Sequence, residues 1–127
     1  MSLALKIVDQ TPGVHPPAIR QLRLASERTT LRELFARRIE EEVAALNAGS
    51  DTIRPLVAPT EREQSLNGRP RKMIDAGSQL AAAIEAFERT RILVIVNERQ
   101  VLDLDQPLIV TPETEVRFIK LVPLVGG

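Results

Sequence analysis

The chain contains no cysteine, which removes a disulfide framework, a thiolate nucleophile and thiol metal ligands together. Aromatic residues are almost missing: three Phe, no Trp and no Tyr in 127 residues. Such a chain cannot offer the stacked aromatic platforms that hold single-stranded nucleic acids. Its core has to be built from Leu, Ile, Val and Ala. Neither sign of charge is in excess, since 17 basic and 17 acidic residues sum to a formal charge of zero. The electrostatic footprint of a DNA or RNA binder is therefore missing at the level of the whole chain. Long apolar runs are also lacking. The run Ile92 to Val96 is far short of the roughly 20 residues needed to cross a bilayer. The opening MSLALKIVDQT has no basic region followed by an apolar stretch, as a secretory signal would. These absences lead us to expect a cytoplasmic protein with no nucleic-acid or membrane partner. Histidine occurs once, as His15 beside Pro16 and Pro17. A single imidazole without companion ligands is not a metal site, and we expect it in an exposed loop.

What is present is an alternation of strand and helix patterns. Residues 3 to 8, LALKIV, place Leu3, Leu5 and Ile7 on one face of a strand. Turn residues from Thr11 to Pro17 and renewed alternation through Leu22 and Leu24 predict a β-hairpin with a long loop. Thr30-Leu31-Arg32-Glu33 is a capping box, in which Thr30 accepts the Glu33 amide and Glu33 reaches back. It opens a helix over 31 to 46 with Leu31, Leu34, Phe35, Ile39, Val43 and Leu46 in one apolar stripe. Glu33, Arg37, Glu41, Arg38 and Glu42 are read as its solvated, charge-paired side. From about Ala48 to Lys72 the pattern is interrupted by Gly49, Pro55, Pro59, Gly68 and Pro70. We read this stretch as a loop or partly ordered insertion, least ordered from Asp51 to Pro70, followed by a helix from about Ser78 to Arg89. The run Ile92 to Val96 is apolar throughout, which predicts a strand with both faces covered. Asn97 to Gln100 and Thr111 to Thr114 are turns, and Val116 to Val122 is the last strand.

No catalytic constellation stands out: there is no GxSxG, HExxH or P-loop, and the one carboxylate pair near the end, Asp103 and Asp105, suits a turn-flanking role. We therefore expect a protein that is not an enzyme and holds no cofactor of its own. The reactive feature is the ending, Pro123-Leu124-Val125-Gly126-Gly127. Proline favours an extended neighbour, and glycine carries no Cβ to block a narrow channel. A thin thread with a carboxylate at its tip can enter another protein's active site, and an adenylated carboxylate is an electrophile for sulfur, thiol or amine.

The stretch ILVIVNERQVLDLDQPLIVTPETEVRFIKLVPLVGG resembles the C-terminal half of the ubiquitin-like sulfur carriers, represented by the molybdopterin-synthase small subunit and the thiamine-pathway sulfur carrier. Val96-Asn97, Gln106-Pro107-Leu108, Glu113-Thr114-Glu115, Val116 to Leu121 and Pro123 to Gly127 stand where that group has its strand end, Pro-Leu step, acidic turn, apolar strand and diglycine tail. Two features depart from the group: the turn Pro112-Glu113-Thr114 where a Gly-Asp-like pair is usual, and the insertion at about 48–90.

The resemblance implies an α+β, β-grasp (ubiquitin-like) mixed sheet over 1–127 as a single domain. One main helix crosses it, strands 3 to 8 and 116 to 121 lie side by side in parallel, and a loop-plus-helix segment is inserted. It implies a sulfur carrier whose Gly127 carboxyl is adenylated by an ATP-dependent activating enzyme and passed as a thiocarboxylate to a sulfur-acceptor enzyme, the ATP being used by the partner. Gly126, Val125, Leu124 and Pro123, with Phe118 on the last strand, are the expected partner-binding residues; Leu124 and Val125 are expected to stay partly exposed. Two other outcomes remain open at this stage. Gly127 could be joined to lysines of a target protein, making the chain a protein modifier, or the tail could never be activated, leaving an interaction module.

Overall fold

The computed structural model describes residues 2–13, 15–59, 65–66, 69–70 and 73–124, with the backbone alone at 15, 65, 66, 69 and 70. Strands β1 (Leu3–Thr11) and β2 (His15–Leu24) form the first hairpin, and β3 (Arg28–Thr30) leads into helix α1 (Leu31–Asn47). A two-stranded ribbon, β4 (Ser65–Leu66) and β5 (Arg69–Pro70), precedes helix α2 (Ala76–Glu88). Then come β6 (Ile92–Val96), β7 (Arg99–Gln100), β8 (Pro107–Ile109) and β9 (Glu115–Lys120). The result is α+β, with a five-stranded mixed sheet in the order β2-β1-β9-β6-β7. β1 and β9 are parallel, Ile7 opposite Val116, as expected, and every other pairing in this sheet is antiparallel.

Local sequence explains the corners. The first turn is tighter than expected: the strands run on to Thr11 and from His15, with Gly13 at φ +75°. His15 therefore begins a strand and does not sit in a loop. Between β6 and β7, Asn97 and Glu98 both take positive φ, +47° and +71°. That is the two-residue type I′ turn whose twist matches a hairpin. Thr30 caps α1 by accepting the Glu33 amide at 3.2 Å, while the Glu33 carboxylate accepts from the Thr29 hydroxyl at 3.1 Å. Both helices end in Schellman hydrogen bonding. Ser50 and Gly49 amides donate to Ala45 and Leu46 carbonyls, and those of Arg91 and Thr90 to Ala86 and Phe87. The left-handed position is Gly49 in the first and Thr90, at φ +57°, in the second.

The stripe of α1 meets the sheet as its spacing predicts. Leu31, Leu34, Phe35, Ile39 and Val43 are buried against Leu5, Ile7, Leu22, Ile92, Val94, Val116 and Phe118 in one cluster. All three phenylalanines converge: the Phe35 ring lies 5.6 Å from Phe118 and 5.9 Å from Phe87, both edge-on. Strand β6 departs from expectation. Ile92 and Val94 are buried, but Leu93 and Ile95 on its other face are only half-buried.

The insertion is the larger correction. Leu56, Val57, Ile74, Ala83 and Ala86 all belong to the same core cluster. The start of the segment expected to be least ordered is thus packed, because Leu56 and Val57 remove two branched side chains from water. Most of 60–72 lies outside the described residues. In α2 the buried line is Gln79, Ala83 and Ala86; Leu80, Ile84 and Phe87 pack at its margin. No helix among the described residues is long and apolar enough to cross a membrane.

Candidate functional site

Strand alternation decides which side chains of β9 can meet a partner. Val116 and Phe118 point toward α1 and are fully buried. Phe118, expected to bind a partner, is thus a core residue: its ring lies against Phe35, and the Arg38 guanidinium carbon sits 4.6 Å from its centroid. The opposite parity, Glu115, Arg117 and Ile119, lies on the outer face with Lys6, Val8 and Gln10 of β1 and Ile19 of β2. There Arg117 donates to Gln10 at 2.8 Å, Lys6 stands 3.5 Å from Glu115, and Ile19 is 65% exposed.

Beyond β9 the chain leaves the sheet in two stages. The Leu121 amide still donates to the Arg91 carbonyl at 2.9 Å, after which Leu121, Val122 and Pro123 are exposed. Leu124 then turns back into the protein. It is 8% exposed, joins the core cluster, and its carbonyl accepts from the Ala58 amide at 2.8 Å. This corrects the expectation of a partly exposed Leu124. Val125, Gly126 and Gly127 lie outside the described residues.

The partner of Leu124 is a short strap, Pro55 to Ala58, held at three successive residues. The Leu56 amide donates to Glu42 Oε1 at 2.9 Å, Gln79 Nε2 donates to the Val57 carbonyl at 2.9 Å, and the Ala58 amide donates to Leu124. Glu42 and Gln79 are both buried, on α1 and α2. The strap therefore joins two helices to the root of the tail.

Glu42 is one corner of a buried charge network. Arg38, with no exposure, reaches both oxygens of Asp9 at 2.8 Å and Glu42 Oε2 at 2.8–2.9 Å, and Arg20 donates to the same Glu42 oxygen at 2.7 Å. Burial works against the charge on Arg38, but hydrogen bonding to Asp9 and the charges of Glu42 and Asp9 outweigh it and raise its pKa above the ordinary arginine value. Two cations and two anions balance, so the network ties β1, β2, α1 and the strap together without leaving a spare carboxylate. Arg38 and Glu42 were expected on a solvated side. The missed signal is their spacing: three and seven residues beyond Phe35, they continue the apolar stripe itself.

Asp103 and Asp105 take the expected turn role, the Asp105 amide donating to Asp103 Oδ1 at 2.9 Å. Asp105 also receives a two-pronged bond from Arg32 at 2.8 and 3.1 Å, which holds its carboxyl below the usual aspartate range. Among the described residues no group of three or more His, Asp or Glu side chains is placed to hold a metal ion. Compared with protein-family models, curated proteins and solved structures, the chain matches none.

Proposed function

We propose that the protein is a ubiquitin-like sulfur carrier on a β-grasp fold. The observation that carries this reading is the strand order: β9 lies at the centre of the sheet, parallel to β1, and the chain leaves its end toward Gly126-Gly127. A first hairpin, a helix across the sheet and a last strand parallel to the first and beside it are the layout the sequence resemblance implied, and the tail is the reactive part of that layout.

In this reading the Gly127 carboxylate attacks the α-phosphorus of ATP bound to a partner activating enzyme, releasing pyrophosphate and forming an acyl-adenylate. Sulfide delivered by a donor then attacks the carbonyl, AMP leaves, and a thiocarboxylate remains for an acceptor enzyme. The outer sheet face around Ile19, Arg117 and Ile119 takes over the docking role that Phe118 cannot fill. ATP–pyrophosphate exchange with the host's activating enzyme tests the reading. Wild type is expected to support exchange, and deleting Gly127 or adding one residue after it is expected to abolish exchange without altering thermal stability. Full exchange by the extended protein would overturn it.

The docking of Leu124 favours a second reading, an interaction module whose tail is never activated. Intact mass of the protein from its native host separates the two: a thiocarboxylate in place of the carboxylate is a gain of about 16 mass units by exchange of oxygen for sulfur, and its absence under all growth conditions supports the module.

A further inference from the structure

We propose that the strap Pro55–Ala58 is a latch on the tail, and that the latched and released states set how much of the tail a partner can take up. The inference rests on the carrier reading for its consequence, but the latch itself stands on contacts alone.

The geometry is specific. Ala58 follows two strap residues that cannot drift, since Leu56 and Val57 are each 1% exposed and their backbone groups are bonded to buried Glu42 and buried Gln79. The next amide, that of Ala58, is spent on Leu124. On the tail side the Leu121 amide is bonded to Arg91, Val122 and Pro123 are exposed, and Leu124 is tied down beyond them. Among the described residues, one buried side chain and one hydrogen bond hold the tail side, whereas two buried side chains and bonds to two buried polar groups hold the strap. The tail side is therefore the one that opens, in keeping with local opening being easiest where few apolar contacts hold.

Opening changes reach. Releasing Leu124 frees Val122, Pro123 and Leu124, which as an extended chain at about 3.4 Å per residue add about 10 Å of reach. A partner whose reacting centre needs that added length can engage only the released form. Its apparent affinity is then reduced by the fraction of molecules released.

Two substitutions in the full chain test this. Leu124→Asp removes the apolar anchor, and Gln79→Ala loosens the strap without altering the tail. Native-state hydrogen exchange at the Ala58 amide is read against the Arg32 amide, which donates to Leu104 far from the strap. The Ala58 amide is expected to exchange about tenfold faster in both variants with Arg32 unchanged, and kcat/KM for ATP–pyrophosphate exchange is expected to rise by a similar factor in Gln79→Ala. Equal Ala58 exchange in wild type and variants overturns the latch. Faster Ala58 exchange with unchanged or lower kcat/KM overturns its control of uptake. If wild type and variants all fail to support pyrophosphate exchange while Ala58 behaves as expected, the latch stands as a contact and the carrier reading fails.

Discussion

Glu42 Oε1 accepts the backbone amide of Leu56 at 2.9 Å, so a buried carboxylate on the main helix caps the inserted strap. Its other oxygen holds Arg38 and Arg20. Glu42→Gln keeps the shape but leaves Arg38 with Asp9 as its anion and takes from Arg20 the carboxylate it bonds. Breaking a buried pair from one side costs about 3–5 kcal/mol, because the surviving charge stays desolvated. Urea unfolding of Glu42→Gln is expected to show a loss of that order. A loss below about 1 kcal/mol would mean that water reaches the network.

Phe35 joins the other two phenylalanines and Ile39 continues its stripe. Truncation of either to Ala is expected to cost about 2–5 kcal/mol, with Phe35 at the upper end. Denaturant midpoints measure this directly, and a near-zero loss would remove α1 from the core.

The two Schellman ends provide a matched comparison. Gly49 meets its left-handed φ at no steric cost, while Thr90 holds +57° with a branched Cβ and Glu98 holds +71° in the hairpin turn. Thr90→Gly and Glu98→Gly are each expected to raise stability by about 0.5–1 kcal/mol, the relief of strain outweighing the added chain entropy. Gly49→Ala is expected to lower it by a similar amount. Thermal melts of the three variants check the signs.

Asp75 accepts from the amides of Gly77 and Ser78 and from the Ser78 hydroxyl, and these bonds, the hydroxyl's first, lower its pKa. The pKa of Asp105 is lowered by its hydrogen bond to Arg32. For both, the folded pKa lies below the unfolded one. Their contribution is complete above about pH 5 and is lost as the pH falls through the folded value. Asp75→Asn and Asp105→Asn are expected to flatten the fall of Tm between about pH 5 and pH 2. Parallel curves for wild type and variants would refute the linkage.

The elements carried by periodicity were legible in the residues: the α1 stripe, the first hairpin, β6 and β9. The resemblance supplied the parallel neighbour relation of β1 and β9, which no local pattern encodes. What was not legible depended on partners distant in sequence. Arg38 and Glu42 read as solvated because a charged side chain on a helix usually is; Asp9, Arg20 and Leu56, distant in sequence, make their burial tolerable. Phe118 read as a docking residue because its parity in β9 is set by the register with β1. Leu124 read as free because its cover comes from Pro55 to Ala58, in a segment whose prolines and polar residues look like a loop.

The central pairing of β1 with β9 also constrains how the chain folds. Ile7 cannot find Val116 until nearly all the intervening chain exists, and an extended β1 with its partner missing is a sticky edge. The local hairpin and α1 can form early, but the sheet remains split until β9 inserts between β1 and β6. High sequence separation of this kind slows folding. Synthesis on a ribosome therefore passes through a stage in which half the sheet waits, and chaperone contact with Leu5 and Ile7 is expected to end when β9 emerges.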